Sequence, residues 1–325
     1  MDVLSDALRA VRLEGALFLN GELHAPWAVS VPKGADIARM VKPGAQRMAI
    51  CHLLLEGNCW VQVAGQAPIN LAAGDVVTLP HGDTHVLGSA LQHASIDIGH
   101  VVRPRMPELT PVRYGGDGER TVVVCGWFAY EGDLPNPIIP HLPRLFSTRL
   151  RTRPAGSWIE QSVSFVLAEA ARRSPGSDMV ASKVAEVLFA EALRGYLESM
   201  PQGHSGWLSG LRDPQVGRCL ALMHGAPARA WTVEMLAREV HASRSVLAER
   251  FTVMVGMPPM QYLTRWRMVV AAGMLRSQQG TLARVARDVG YESEAAFNRA
   301  FKREYGVPPG SWRQGALALP SATSM

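Results

Sequence analysis

The chain writes one stretch twice. Residues 232–262 and 281–312 align at an offset of 49 before a turn and 50 after it. Thr232 matches Thr281, Ala237 matches Ala286, Arg238 matches Arg287 and Val240 matches Val289. Beyond the turn Ser243 matches Ser293, Leu247 matches Phe297, Phe251 matches Phe301 and Gly256 matches Gly306. Pro258-Pro259 then matches Pro308-Pro309, and Tyr262 matches Trp312. Two copies are too few for a solenoid, which needs about three or more repeats to bury its faces. They suit a C-terminal region that presents one kind of surface twice.

The apolar spacing says what each copy is. "TVEMLAREV" reads as an amphipathic helix with Val233, Leu236, Ala237 and Val240 inward. After a short turn, Ser243 caps "RSVLAERFTVMVG", whose inner face is Val246, Leu247 and Phe251. In the second copy "LARVARDV" leads through "GYE" to a Ser293-capped "EAAFNRAFKREYG", with Phe297 and Phe301 inside. Ala237 and Ala286 are small enough for two helices to cross closely. Gly290 suits a turn position of positive φ, and His241, at the matching place, tolerates that region better than most residues. Two helices around a tight turn, the second with polar and basic residues at its outer start, form a helix-turn-helix.

Charge, the duplication and the turn chemistry together separate this reading from a plain helical bundle; charge alone would equally suit a solvated surface. From Gly206 to Arg313 there are 15 Arg and Lys against 8 Asp and Glu, whereas the remainder has 18 against 20. A basic C-terminal part joined to a near-neutral N-terminal part points to a polyanionic partner.

"GYESEAAFNRAFKREYGVPPGSWR" resembles the C-terminal signature of the AraC/XylS family of bacterial transcription regulators. The likeness covers about Gly206 to Gln314. It includes the G-[FY]-x-S start, the F-x-x-x-F spacing, the K-x-x-x-G-x-P-P element and the closing aromatic-Arg. It implies two helix-turn-helix units joined by one long helix, here "MQYLTRWRMVVAAGMLRS", each unit placing a recognition helix in the major groove. Double-stranded promoter DNA is the implied partner, with RNA polymerase beside it for an activator. The family's DNA-facing positions fall on Arg244, Ser245, Ala248 and Glu249 in the first helix. In the second they fall on Glu294, Ala295, Asn298 and Arg299. Arg299 suits guanine O6/N7 and Asn298 adenine or a phosphate. Lys302, Arg303, Arg244 and Arg250 suit phosphates. Ala248 offers only a methyl contact, so base reading should lean on the second unit.

Residues 1–150 read as β-rich, with short apolar runs such as "HLLLEG", "CWVQVAG", "DVVTLP" and "TVVVCGWFAY" between Gly, Pro and Asp turns. "GDVVTLPHGDTH", residues 74–85, fits the second cupin motif without a mismatch. The whole order resembles the cupin sensor domain of one AraC-type subgroup, which includes a regulator responding to reactive chlorine. The family's HxH pair and Glu would fall near 44–46 and Ile50, and neither is present, so only His85 remains of the usual metal set. Strand parity puts His52 on the same face as Ile50, beside His85. His81, His93 and Cys59 complete a candidate effector or metal set, and imidazole with thiolate suits zinc or copper. Cys59 and Cys125 are the redox candidates, since they match cysteines of the resembling subgroup.

Residues 157–200 switch to helical spacing. Ser157 is placed to cap a helix carrying Ile159, Val163, Val166 and Leu167. A second carries Val180, Val184, Val187, Leu188 and Leu193 on one face. These stripes suit either a homodimer or packing on the barrel. The expected architecture is therefore α+β multidomain. A cupin-like β-barrel sensor fills 1–150 and a helical dimerisation or linker segment 151–205. An all-α double helix-turn-helix domain fills 206–314, and a flexible tail 315–325. No run of 18 apolar residues exists, the N-terminus lacks a signal-peptide layout, and the four cysteines lack CxxC spacing. The expectation is a cytoplasmic, non-enzymatic, ligand-controlled regulator without a membrane partner. The competing reading is a cupin metalloenzyme or metal-binding protein fused to a DNA-binding module.

Overall fold

The structure is a computed structural model, describing residues 2–11, 14–42, 45, 47–101, 109–130, 138–201, 206–278 and 280–318. It resolves into two compact units that are not contiguous in sequence. One contains residues 12–132 and 142–200. The other contains the first eleven residues, a short stretch ending at His141, and everything from Pro201.

The chain begins with α1 (Val3–Val11), which belongs to the second of these units. The sheet unit then runs β1 (Glu14–His24), β2 (Ala28–Val31), α2 (Gly34–Val41), β3 (Arg47–Glu56), β4 (Asn58–Val63), β5 (Ile69–Ala72) and β6 (Asp75–Leu79). It continues through β7 (His85–Gly88), β8 (Ile96–Asp97), β9 (Pro111–Gly115), β10 (Arg120–Tyr130) and β11 (Phe146–Arg149) to α3 (Gly156–Arg172) and α4 (Ser177–Ser199). One sheet has the order β11-β6-β3-β10-β1-β9, the other β5-β4-β7-β2-β8. The cupin-like expectation holds.

Alternation sorts the side chains. Met48, Ile50 and Leu54 of β3, Val77 and Leu79 of β6, and Val123, Cys125 and Trp127 of β10 share one core with Cys59, Val61 and Val63 of β4 and Leu87 of β7. His52 and His85 have the same parity and are buried. The other face of the first sheet is also buried, which is why "HLLLEG" and "TVVVCGWFAY" read as continuous apolar runs. There α4 lies on the sheet, Phe189 tilting against Phe128 at 4.8 Å between ring centroids. Its buried stripe is Ala181, Ala185, Leu188, Ala192 and Gly195. A Cβ on Gly195 would sit 2.1 Å from Thr148 Cγ2, so small residues set how close this helix comes. Burial of each leucine or phenylalanine here contributes about 1.5–3 kcal/mol.

Two expectations change. Val180 and Val187 point to solvent instead of sharing the inner face of α4, because the small residues take the sheet side. Ser157 lies inside α3, whose N-cap position is Ala155 and has no side-chain cap. The segment 151–205 is thus mostly part of the sheet unit rather than a free-standing linker, and residues 202–205 lie outside the described residues.

The helical unit comprises α1 with α5 (Trp207–Arg212), α6 (Pro214–Gly225), α7 (Val233–Glu239), α8 (Arg244–Val255), α9 (Pro259–Arg276), α10 (Leu282–Asp288), α11 (Glu294–Tyr305) and α12 (Pro309–Ala318). Residues 315–318 close α12, and the tail beyond lies outside the described residues. Val3, Leu4 and Ala7 of α1 are buried, and the helix packs on α6 and α9. Among the described residues no helix is long and apolar enough to cross a membrane.

Candidate nucleic-acid interface and sensor core

The two repeats fold alike because the same caps recur. Thr232 Oγ1 accepts from Met235 N and Thr281 Oγ1 from Arg284 N, each at 3.2 Å. Ser243 Oγ accepts from Val246 N at 3.3 Å, and Ser293 Oγ from Ala296 N at 3.2 Å. These are the N-cap bonds that satisfy otherwise orphaned first-turn amides. His241 and Gly290 take positive φ, 53° and 85°. Gly256 and Gly306 close α8 and α11 in the left-handed region.

Each second helix buries its Leu and Phe face and exposes the other. In α11, Phe297 and Phe301 are fully buried while Glu294, Ala295, Arg299 and Lys302 are exposed and Asn298 is half-buried. In α8, Leu247 and Phe251 are buried while Arg244, Ser245 and Glu249 are exposed and Ala248 is half-buried. Val246, expected inside, is 52% exposed. Val246 stands one residue before Leu247 and five before Phe251, off the i, i+4 stripe of Leu247, Phe251 and Val255 that fills the inner face.

The cations of the two units differ in their engagements. Arg244 Nε lies 2.7 Å from Glu234 Oε1. Arg250 does not stand free for a phosphate: its Nε donates to Asp213 Oδ2 at 2.9 Å. Asp213 also caps α6, accepting from Gln215 N and Val216 N. Burial pushes the Asp213 carboxyl up, but Arg250 and the two amides outweigh it and hold it below the usual carboxylate range. Arg299, Lys302 and Arg303 make no ion pair with the described residues. The second recognition helix therefore has uncommitted positive charge, and the first does not.

In the sheet unit the candidates divide. His52 Nε2 lies 2.7 Å from His85 Nε2, and His52 Nδ1 lies 2.8 Å from Cys125 Sγ. His85 Nδ1 lies 2.8 Å from Asp83 O. A carbonyl only accepts, so His85 donates from Nδ1, and its neutral ring leaves Nε2 bare. His52 must then donate from Nε2, which leaves its Nδ1 to accept from the Cys125 thiol. The direction of the whole chain follows from that one carbonyl. Burial lowers the pKa of His52 well below the ordinary range, with His85 adding to it, and lowers that of His85 to about 4. Burial pushes the Cys125 thiol well up, and the Cys59 thiol up to about 12. This is the reverse of the low-pKa, exposed setting of reactive thiols.

His81 and His93 do not join this cluster. His81 is exposed and bonds Leu142 O at 3.0 Å, and His93 is half-buried in a bend. Cys59 lines the same core without a hydrogen bond to either imidazole among the described residues. No group of three or more metal donors forms among the described residues. The facing Nε2 atoms are closer than two ligands of one tetrahedral zinc, whose bonds run about 2.0–2.1 Å each. The donors present thus fit a shared proton better than the four-ligand shell of a cupin or structural metal.

The sequence comparisons agree with this division. Residues 2–198 match the family model described as Cupin, and residues 236–315 the one described as Helix-turn-helix domain. A "Putative AraC-like transcription regulator" of Streptomyces lividans is 35% identical over 314 residues, 97% of this chain and 98% of its own. The chain belongs to the AraC-like transcription regulators. A second such regulator, from Streptomyces antibioticus, is 33% identical over 97% of this chain and 99% of its own. The "RCS-specific HTH-type transcriptional activator RclR" of Escherichia coli K12 is 28% identical over 98% and 99%. As an AraC-like regulator the protein is a DNA-binding transcription factor rather than an enzyme. Its helix-turn-helix domain binds duplex DNA.

Proposed function

We propose that the protein is a homodimeric activator whose base reading leans on α11 and whose signal enters at His52, His85 and Cys125. The observation that carries the DNA assignment is the pair Arg299 and Lys302, exposed beside a half-buried Asn298 over a buried phenylalanine face and free of ion pairs among the described residues. In α8, Val246 and Ala248 offer methyl groups, which suit thymine, while Arg244 serves the backbone. An activator also contacts RNA polymerase. The Escherichia coli relative, a transcriptional activator by name, supports that class.

The signal reading rests on the directed hydrogen-bond chain. A thiol modified at Cys125, or an effector that takes either imidazole, breaks it and leaves buried polar groups unpaired, at a cost of about 1–3 kcal/mol each. The test is promoter binding and transcription by the full-length protein treated with a thiol oxidant, with zinc or with copper, alongside its metal content. Loss of response in His85→Ala, with DNA binding retained, is the expected result. Response to metal with stoichiometric uptake would replace the thiol reading, and normal response in a folded His85→Ala protein would take His85 off the signal path. The same variant tests the buried imidazoles by pH. His85 has a folded-state pKa below its unfolded value, so its stability contribution is present above about 6.5 and is lost as pH falls toward about 4. Wild-type melting should fall across that window, and His85→Ala should flatten the slope.

The dimer reading rests on exposed apolar residues of α3 and α4. Trp158 and Phe165, seven apart, are 53% and 54% exposed, and Met179, Val180 and Val187 are exposed as well. Such stripes mark an interaction surface. Phe165→Glu combined with Val187→Glu should give a monomer by light scattering with an unchanged melt. A dimer of normal strength would place the contact elsewhere.

A further inference from the structure

The two helix-turn-helix units have separate cores that share one helix. Tyr262 and Trp266, in the first half of α9, pack with Phe251, His224 and Trp207 of the first unit. Met268, Ala271, Ala272 and Leu275, in the second half, pack with Val285, Phe297 and Phe301 of the second. Arg267 stands at the changeover. A single helix between two lobes can bend, and a bend there would alter both the distance and the rotation between recognition helices.

Arg267 binds more than its own helix. Its Nε donates to Pro227 O at 2.7 Å, and a terminal nitrogen donates to Arg229 O at 2.9 Å. Both carbonyls lie in the loop entering α7 of the first unit. That loop is itself held, Trp231 Nε1 donating to Ala226 O at 3.1 Å and the Arg229 guanidinium lying 4.0 Å over the Trp231 ring. The turn of the second unit closes on the same place. A Cβ on Gly290 would lie 2.7 Å from Ala228 O and 2.9 Å from the Arg267 guanidinium, so only glycine admits this approach. The guanidinium also stands 6.0 Å from the Tyr291 ring. Three elements therefore meet at one cation: the entry loop of the first unit, the connecting helix, and the turn of the second unit. A planar fork with separate donors can hold two carbonyls at once, which a lysine cannot do in that geometry.

We infer that Arg267, with Gly290, is the residue that fixes the separation and rotational phase of the two recognition helices, and so the spacing of the two DNA segments the protein accepts. It touches no DNA in this role; it positions the helices that do. One base pair changes the separation by about 3.4 Å and the phase by roughly a tenth of a turn, which a rigid pair cannot follow and a hinged pair can.

The inference rests on the DNA-binding reading above, and one experiment distinguishes their failures. Full-length protein is used to select its site from a random duplex library, and footprinting locates the two segments contacted by each protomer. Duplexes are then made with one base pair added or removed between them. Wild-type protein should lose about tenfold or more in affinity on either altered duplex. Arg267→Met should bind the selected duplex somewhat more weakly but lose only about two- to threefold on the altered ones, and Arg267→Lys should fall between. Gly290→Ala, which forces the turn off the loop, should relax spacing in the same way and serves if Arg267→Met does not fold. A merely structural role lowers binding to all duplexes alike and leaves the ratio unchanged, which would overturn the inference. So would a wild-type protein indifferent to spacing. Absence of any selected sequence would instead overturn the base-reading assignment itself.

Discussion

Replacing Phe301 by alanine is expected to unfold the second helix-turn-helix and abolish specific DNA binding. Phe301 is fully buried and meets Phe297, Tyr305 and Trp312 with ring centroids 5.6, 4.5 and 5.9 Å away. Phenylalanine to alanine in such a core costs about 3–5 kcal/mol, a large part of the roughly 5–15 kcal/mol that holds a domain. The sheet unit has its own core and should keep its melting transition. Calorimetry of the full-length variant checks this, with one transition lowered and the other unmoved. A normal melt for both units would mean that α11 does not rest on this aromatic cluster.

Arg299→Ala is expected to cost about 1–3 kcal/mol on the selected site, roughly 5- to 150-fold, and to relax one base position. Arg244→Ala should cost about 1 kcal/mol or less and change sequence preference little. Arg244 already shares its charge with Glu234 on the surface, so a phosphate would only replace one exposed partner by another. Competition binding of both variants against a library of single-base changes measures the contrast. Equal relaxation by the two substitutions would refute the asymmetry between the recognition helices.

Much of this was legible in the sequence because repeats and caps are local. Thr232, Ser243, Thr281 and Ser293 announce helix starts by residue type alone, and the phenylalanine spacing of α11 shows which face is buried. Strand parity also placed His52 opposite His85, since period two leaves no freedom once Ile50 faces inward. What stayed hidden depends on partners distant in sequence. Asp213 claims Arg250 from 37 residues away, and Leu142 holds His81 outside the barrel. The proton direction through His52 could not be read either, because it is set by the backbone carbonyl of Asp83. In α4, valines were expected inward by hydrophobicity, but alanine and glycine won the sheet face because closeness of approach, not side-chain size, decided the packing.

The membership of α1 in the helical unit gives the protein an order of manufacture. Val3, Leu4 and Ala7 leave the ribosome well before α6 and α9, and their seat on those helices is complete only when Arg276 has been added. At about 5–20 residues per second the wait is on the order of 10–50 s. Through that interval the sensor sheet can form while the first helix keeps its apolar side uncovered. A chain stopped after Met200 would have a sensor with an unhoused leading helix, and a fragment begun at Pro201 would have a DNA-binding unit with an empty berth.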